Sequence, residues 1–207
     1  MSHNTWMHRL SRIILVKPLL DTAVRPNHLT TLRLVTGVTA AGLLSVDEHP
    51  WQHIAGGGFL LAMLLDRADG DLARLTGQTS DGGHAYDLVA DALCNSLIFV
   101  GLGIGLRHSA YGTLAVLMGL AAGLAVTAIL WLVIRIERLE GRRAAELGSV
   151  AGFDPDDTMV IIPICIWSSA SEGLLLAAAV GAPVFALFFY WYFRHKRAAI
   201  KALKRSA

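Results

Sequence analysis

Charged residues are scarce in this chain of 207 residues. Asp, Glu, Lys and Arg make up 16% of it, whereas soluble domains carry about 25%. Hydrophobic residues make up 54%, and the mean hydropathy is +0.52. The polar residues are too few to cover the surface of a soluble fold of this length. The composition therefore favours a single-domain membrane protein. The net charge of only +2 offers no strongly basic surface, and no nucleic-acid partner is expected.

Cysteine is also rare. Cys94 and Cys165 are the two in the chain, and both lie inside apolar runs. Free cysteines in such runs usually pack as small hydrophobic residues, so the sequence favours neither a disulfide nor a thiolate metal site.

The first 26 residues lack a long apolar run, and Ile13 to Val16 is too short for the core of a signal peptide. Apolar residues recur there at helical spacing among basic ones, which predicts an amphipathic helix on the membrane surface over 1–26. A disordered tail is the alternative. The apolar residues are Trp6, Met7, Leu10, Ile13 and Ile14.

Long apolar runs fill the rest of the chain and predict an all-α, polytopic membrane protein. Six spans are expected within a catalytic domain of residues 27–193, followed by a basic cytoplasmic tail over 194–207. The second span is expected to continue into an acidic stretch, because its apolar part alone is too short to cross. The predicted spans are about 29–46, 51–65, 83–106, 109–134, 158–171 and 173–193.

The basic residues set the expected orientation. The N-terminus, the 75–82 loop, the 135–157 segment and the C-terminus are expected on one side of the membrane. Of the 18 Lys and Arg residues, all except Arg107 fall on that side or at its membrane edge. The positive-inside rule places that side in the cytoplasm. The expected location is the cytoplasmic (inner) membrane of a bacterium, with the acidic stretch facing the cytoplasm.

The acidic stretch runs from Asp66 to Asp91. Asp66 and Asp69 are three residues apart, and Asp87 and Asp91 are four apart, so each pair lies on one face of a helix. Four carboxylates at one place repel each other unless a cation lies between them, and hard divalent cations prefer carboxylate oxygens. Two neighbouring acidic positions outside this spacing, Asp71 and Asp81, are interpreted as solvated residues.

The spacing of the stretch, D-x-x-D-G-x-x-A-R-x8-G-x-x-x-D-x-x-x-D, resembles the signature of the CDP-alcohol phosphotransferase (CDP-alcohol phosphatidyltransferase) family. These are integral membrane enzymes of phospholipid synthesis, and a chance match at every fixed position is very improbable. The fixed positions are Asp66, Asp69, Gly70, Ala73, Arg74, Gly83, Asp87 and Asp91.

The resemblance implies a role for each of these residues. Asp66, Asp69, Asp87 and Asp91 would hold two divalent cations, Mg²⁺ or Mn²⁺, with Asp91 a ligand, the general base, or both. The implied reaction is attack by an acceptor hydroxyl on the lipid-linked phosphorus of CDP-diacylglycerol, with CMP leaving. The CDP part of the donor would contact Gly70, Ala73, Arg74 and Gly83.

The acceptor is a small polar alcohol that the signature does not identify. Glycerol 3-phosphate is favoured, with inositol phosphate, serine and choline as alternatives. A second anion site for a phosphorylated acceptor is expected at Arg135, Arg138, Arg142 and Arg143. These arginines equally fit a purely topological role as inside-positive residues. The acidic run 154–157 beside them either pairs with them or favours a cationic acceptor.

A divalent-cation transporter is the competing class of function, because membrane carboxylates at helical spacing serve that role too. The clustering of all four carboxylates at one membrane face opposes it, as does the Ala73-Arg74 pair. The resemblance also implies a homodimer. Gly119, Ala122 and Gly123 are expected either at such a contact or at an internal one.

Overall fold

The computed structural model describes residues 6–140 and 155–206, and its regular elements in those ranges are all helices. The all-α prediction is thus confirmed for the described part of the chain. The elements are α1 (Trp6–Ser11), a π-helical stretch (Arg12–Val16), α2 (Lys17–Leu19), α3 (Pro26–Leu44), α4 (His49–Thr76), α5 (Asp81–Gly105), α6 (Leu114–Glu140), a 3-10 helix (Pro155–Val160), α7 (Ile161–Trp167) and α8 (Ser171–Ser206).

Three of the described helices are long and apolar enough to cross a membrane by themselves. They are α5, the part Leu114–Ile136 of α6, and the part Ser171–His195 of α8. Helices α3 and α4 correspond to the first two predicted spans, but α4 carries the acidic stretch. The fifth predicted span corresponds to a shorter apolar helix, Thr158–Trp167.

Local sequence signals fix the ends of the helices around the acidic stretch. Helix α4 ends at Gly77, whose φ of +69° is a left-handed conformation that glycine adopts without strain. Helix α5 begins after Ser80, whose side chain accepts a hydrogen bond from the backbone N–H of Gly83 at 3.0 Å. The connection is therefore four residues, 77–80, shorter than the predicted segment from Leu75 to Gly82. This short turn keeps the acidic ends of the two helices side by side.

Glycines allow α5 to pack with unusually close backbones against both α3 and α6. A Cβ atom at Gly101 would collide with the carbonyl oxygen of Ala41 in α3. On the other side, a Cβ at Gly119 would lie 2.9 Å from the Cα of Gly103. Gly119 therefore makes an internal contact, one of the two alternatives that the sequence leaves open. In a bilayer, where lipid tails are as apolar as side chains, such packing is the main source of helix association.

The N-terminal segment, which comprises α1, the π-helical stretch and α2, packs along the last part of α4. Met7 and Val16 are fully buried, and the hydroxyl of Ser11 donates to the carbonyl oxygen of Leu64 at 3.0 Å. The outer face keeps exposed apolar side chains, including Trp6 and Ile13. One face therefore holds the segment to the bundle, while the other is exposed.

The last two helices pack in different ways. Trp167 at the end of α7 donates its indole N–H to the carbonyl oxygen of His53, near the start of α4, at 3.1 Å. Helix α8 is largely outward-facing: within Ser171–His195, only 11% of the most apolar 18-residue stretch is buried. It continues as helix to Ser206, so residues 194–206 of the predicted tail extend it.

Candidate metal and substrate site

Three of the four predicted carboxylates converge between α4 and α5, which both pack against α3. Asp66 and Asp69 come from α4 and Asp87 from α5, and one oxygen atom of each lies within 4.8 Å of the others. Asp69 is buried and the other two are half-buried. Clustered carboxylate oxygens at this separation are the donors that Mg²⁺ and Mn²⁺ prefer, so the residues fit the divalent cations that the sequence implies.

Arg33 of α3 lies among these carboxylates and links Asp91 to them. Its Nη1 is 2.6 Å from Oδ1 of Asp66 and 2.8 Å from Oδ1 of Asp87. Its Nη2 forms a short ion pair with Oδ1 of Asp91. The guanidinium is almost fully buried, so this fixed positive charge offsets part of the repulsion between the carboxylates.

Neighbouring side chains orient the individual carboxylates. The buried hydroxyl of Thr30 in α3 donates to Oδ2 of Asp69 at 2.6 Å. Arg67 donates from Nη1 to Oδ2 of Asp66 at 2.6 Å. One turn beyond Asp91, the amide of Asn95 donates to Oδ1 of Asp91 at 3.4 Å. Hydrogen bonds of this kind set the direction of a carboxylate before a cation binds, and they tune its strength as a ligand.

Asn95 also lines a small cavity on the inner side of the cluster. Asp66, Asp91 and Met159 line the same cavity, together with Arg33. The polar side chains of α5 thus continue one turn beyond Asp91, to Asn95.

The predicted CDP-contacting residues lie on the same two helices. The guanidinium of Arg74 lies back along α4 over Gly70, where a Cβ atom would be 3.4 Å from Nη1. Ala73 is half-buried beside it. Gly83 lies at the start of α5, where a Cβ would be 3.0 Å from Oγ of Ser80 and 3.3 Å from Oδ1 of Asn27. The glycines keep the backbone bare near the carboxylates.

Asp71 differs from its sequence interpretation. A solvated position is expected, but the side chain is fully buried. Its Oδ1 is 2.5 Å from Nη2 of Arg74, and its Oδ2 is 3.2 Å from Nε of Arg12 in the N-terminal segment. The interpretation is wrong because it counts only solvent and misses the N-terminal segment that covers this face of α4.

The predicted acceptor arginines are only partly described. Arg135 is exposed, and its guanidinium carbon lies 4.8 Å from the ring centre of Trp131, a cation–π contact. Arg138 lies in α6 and residues 155–157 lie in the 3-10 helix, but their side chains are outside the described part of the structure. Arg142, Arg143 and Asp154 lie outside the described residues altogether. Their assignment stays a prediction.

Two functional candidates carry weaker sequence signals than the aspartates. A charged residue inside an apolar span usually faces a polar cavity, so the sequence indicates such a position for Arg33. Thr30 has no such signal, because threonine is common in membrane helices and its partner is 39 residues away. Tertiary packing of α3 against α4 is what brings both to the carboxylates.

Comparison with known proteins agrees with this geometry. The profile of a family described as CDP-alcohol phosphatidyltransferase matches residues 23–192. A protein of Rubrobacter xylanophilus, described as "Bifunctional IPC transferase and DIPP synthase", is 32% identical over 87 residues. That match covers 42% of this chain and 19% of the relative. The chain thus spans only about a fifth of the length of that curated relative.

The family match covers all eight residues of the signature and the helices that hold them. It also includes α3, which supplies Arg33 and Thr30 to the cluster. The chain therefore belongs to the CDP-alcohol phosphatidyltransferase family.

Proposed function

We propose that this protein transfers a phosphatidyl group from CDP-diacylglycerol to the hydroxyl of a small polar alcohol in phospholipid synthesis. The observation that carries the proposal is the convergence of Asp66, Asp69 and Asp87 within 4.8 Å. Asp91 joins them through Arg33. A compact set of carboxylates near the bare backbone of Gly70 and Gly83 is suited to a phosphate-rich donor.

Each carboxylate has a place in the reaction. Asp66, Asp69, Asp87 and Asp91 would hold two divalent cations, which supply charge neutralisation for the diphosphate and for the departing CMP. Asp91 accepts the proton of the acceptor hydroxyl as the new P–O bond forms. The P–O bond between the phosphatidyl phosphorus and CMP breaks, and CMP leaves with the electron pair. Arg74 provides a forked cation for the diphosphate.

The favoured acceptor is glycerol 3-phosphate, with Arg135, Arg138, Arg142 and Arg143 as its anion site. The exposed position of Arg135 at the end of α6 is compatible with this. Inositol phosphate, serine and choline are the alternatives. The relative's name includes transferase and synthase activities, but its short match does not distinguish among these acceptors.

Six crossings complete the proposal, with the carboxylates at the cytoplasmic face of a bacterial inner membrane. Helices α3 and α4, of 19 and 28 residues, are about 28 and 42 Å long. The short segment 158–167 is the critical one. Met159 lines the cavity beside Asp66, while Trp167 contacts His53, about 20 Å away along α4. A segment that covers this depth supports a fifth crossing.

The N-terminal segment is proposed to lie at the membrane surface, because its outer face is apolar and bordered by Arg9 and Lys17. A homodimer is also proposed. Helix α8 offers an exposed apolar surface for a second copy, including Val184, Leu187 and Phe188. Chemical cross-linking in native membranes, followed by measurement of the mass, tests the dimer.

The enzymatic proposal is tested with purified protein in nanodiscs, CDP-diacylglycerol, and Mg²⁺ or Mn²⁺. Each candidate acceptor is added separately, and released CMP and the lipid product are measured. We expect metal-dependent CMP release with one of these acceptors, and glycerol 3-phosphate is the acceptor that we favour. CMP release with a different acceptor would change the proposed acceptor and leave the proposed reaction in place. No CMP with any acceptor, together with metal flux into vesicles, would replace the transferase by a transporter.

A further inference from the structure

Asp71 is a buried carboxylate on α4, at a position where the family signature allows any residue. Its side chain has no exposed surface. Each of its oxygens faces an arginine: Oδ1 is 2.5 Å from Nη2 of Arg74, and Oδ2 is 3.2 Å from Nε of Arg12. A buried carboxylate is costly without such partners, so this position depends on its two arginines.

The contact with Asp71 determines the direction of Arg74. The arginine side chain is 37% exposed and long enough to reach many directions in solvent. It instead lies back along its own helix, with Nη1 and Nη2 3.4 and 3.5 Å from the place a Cβ of Gly70 would occupy. The bare backbone of Gly70 leaves the space, and Asp71 holds the guanidinium in it. Arg74 is thereby kept over the backbone of Gly70 rather than extended into solvent.

The second arginine connects Asp71 to a different element. Arg12 belongs to the N-terminal segment, which is also fixed to α4 by the hydrogen bond from Ser11 to the carbonyl of Leu64. His8, from the same segment, has Nδ1 4.0 Å from Oδ1 of Asp71. Asp71 is therefore the point where the N-terminal segment meets the arginine of the motif.

We propose that Asp71 is a positioning residue, which presents the guanidinium of Arg74 to the diphosphate of a CDP-linked donor, with Arg12 holding Asp71 from the N-terminal segment. The inference rests on the proposed function for its ligand, a nucleoside diphosphate. The side chains that face Asp71 are those of Arg74, Arg12 and His8, and none of these is a predicted metal ligand. Asp71 acts by keeping the guanidinium of Arg74 in a single orientation, so less conformational entropy of this side chain is lost when the donor binds.

The test uses the full chain in nanodiscs and the variants Asp71→Asn, Arg74→Gln and their double. CDP binding with Mn²⁺ is measured by calorimetry, and kcat and KM for CDP-diacylglycerol by CMP release. We expect Asp71→Asn to raise the Kd for CDP and the donor KM roughly tenfold, the loss of one well-oriented charged hydrogen bond. We expect kcat and the affinity for Mn²⁺ alone to stay within about threefold of wild type.

The double variant separates positioning from a general effect on the fold. If Asp71 acts through Arg74, the double variant binds CDP no more weakly than Arg74→Gln, because the effects are not independent. Arg12→Gln is expected to raise the Kd in the same direction by a smaller factor. Matched controls are Asp47→Asn, at the opposite end of the bundle, and Lys17→Gln, in the N-terminal segment. Both are exposed and are expected to bind CDP like wild type.

Wild-type affinity for CDP in Asp71→Asn, or penalties that add in the double variant, would overturn the inference. If Asp71→Asn does not fold, Arg12→Gln supplies the same test, since it leaves the carboxylate and Arg74 in place. The proposed function fails separately, by absence of CMP release from the wild-type protein. A wild type that does not bind CDP at all would overturn both.

Discussion

Each carboxylate of the acidic cluster has its own neighbours, and these neighbours distinguish the four aspartates. Asp69 accepts from Thr30, Asp66 from Arg67, and Asp91 from Asn95. Asp91 lines the same cavity as Asp66 and Asn95. The resemblance to the family signature, in which Asp91 is the last aspartate, makes it the candidate for the general base.

Replacing Asp91 by Asn tests that role with little change of shape. The amide oxygen can still accept from Arg33 and Asn95, but the side chain no longer takes up a proton. We expect kcat for CMP release to fall about 100-fold or more. Asp81→Asn is the control, at an exposed position in the first turn of α5 outside the signature. Near-normal turnover in Asp91→Asn would remove Asp91 from the role of base.

Thr30→Val removes the hydroxyl that donates to Asp69 and keeps the shape of the side chain. Because second-layer hydrogen bonds of this type orient metal ligands, we expect about 10-fold weaker Mn²⁺ binding by calorimetry. Thr36→Val on the same helix is the matched control. Its hydroxyl bonds only to backbone carbonyls of its own helix, at Leu32 and Arg33. Equal Mn²⁺ affinity in both variants would show that Thr30 does not support a metal site.

At this scale the sequence is informative about the aspartates and much less so about their partners. Helical spacing within each pair is a local property, so Asp66 can be paired with Asp69, and Asp87 with Asp91, from the sequence alone. Arg33, Thr30 and Asp71 depend on which faces of α3, α4 and the N-terminal segment pack together. Those contacts join residues 33 to 59 positions apart, and no local spacing encodes them.

At the scale of elements, the bundle depends on how closely α5 approaches its neighbours. Gly101 meets the carbonyl of Ala41 in α3, and Gly105 meets the carbonyl of Leu44 in the same way. Backbone atoms on the partner helix cannot turn aside as a flexible side chain can. A methyl group at either glycine must therefore push the two helices apart.

Gly101→Ala is expected to destabilise the protein by about 1–3 kcal/mol, the usual cost of overpacking a tight contact. Thermal unfolding in detergent, followed by circular dichroism, measures the effect. Gly57→Ala in α4 is the control, because nothing lies within 4 Å of a Cβ there. Alanine is the better helix former, so this control is expected to gain up to about 1 kcal/mol. A Gly101→Ala variant as stable as wild type would argue against close packing of α3 and α5.

The ends of the elements follow from the sequence with mixed success. Pro26 begins α3 and Gly77 ends α4, and both are strong local signals. The extent of α4 through the acidic stretch agrees with the length that a crossing requires. The fifth span is harder, because Pro163 and a run of only about ten apolar residues give a weak pattern. Its depth depends on contacts with α4 at both of its ends.

At the scale of the whole molecule, the proposed topology places the two ends of the bundle in different compartments. The 77–80 turn lies at the end with the carboxylates. Arg107 lies at the other, where its Nη1 donates to the carbonyl of Ser45 at 3.0 Å. The asymmetry of basic residues between these two ends is the sequence signal for orientation.

Single cysteines test this orientation in a background of Cys94→Ser and Cys165→Ser. Thr79→Cys and Ala110→Cys both lie at exposed positions in connections at opposite ends. In spheroplasts we expect a membrane-impermeant maleimide to label Ala110→Cys and to reach Thr79→Cys only after lysis. Labelling of Thr79→Cys before lysis would invert the orientation. The unsubstituted background controls for nonspecific labelling.

The placement of Arg33 has a consequence for how the protein is made. A guanidinium is tethered to the chain and stays charged at any cellular pH, so it accompanies the aspartates from synthesis onward. Helices that leave the insertion machinery can thus associate before any dissolved ion has been captured. Assembly of the bundle is thereby uncoupled from the supply of divalent ions, and a shortage of them would silence the enzyme without dismantling it.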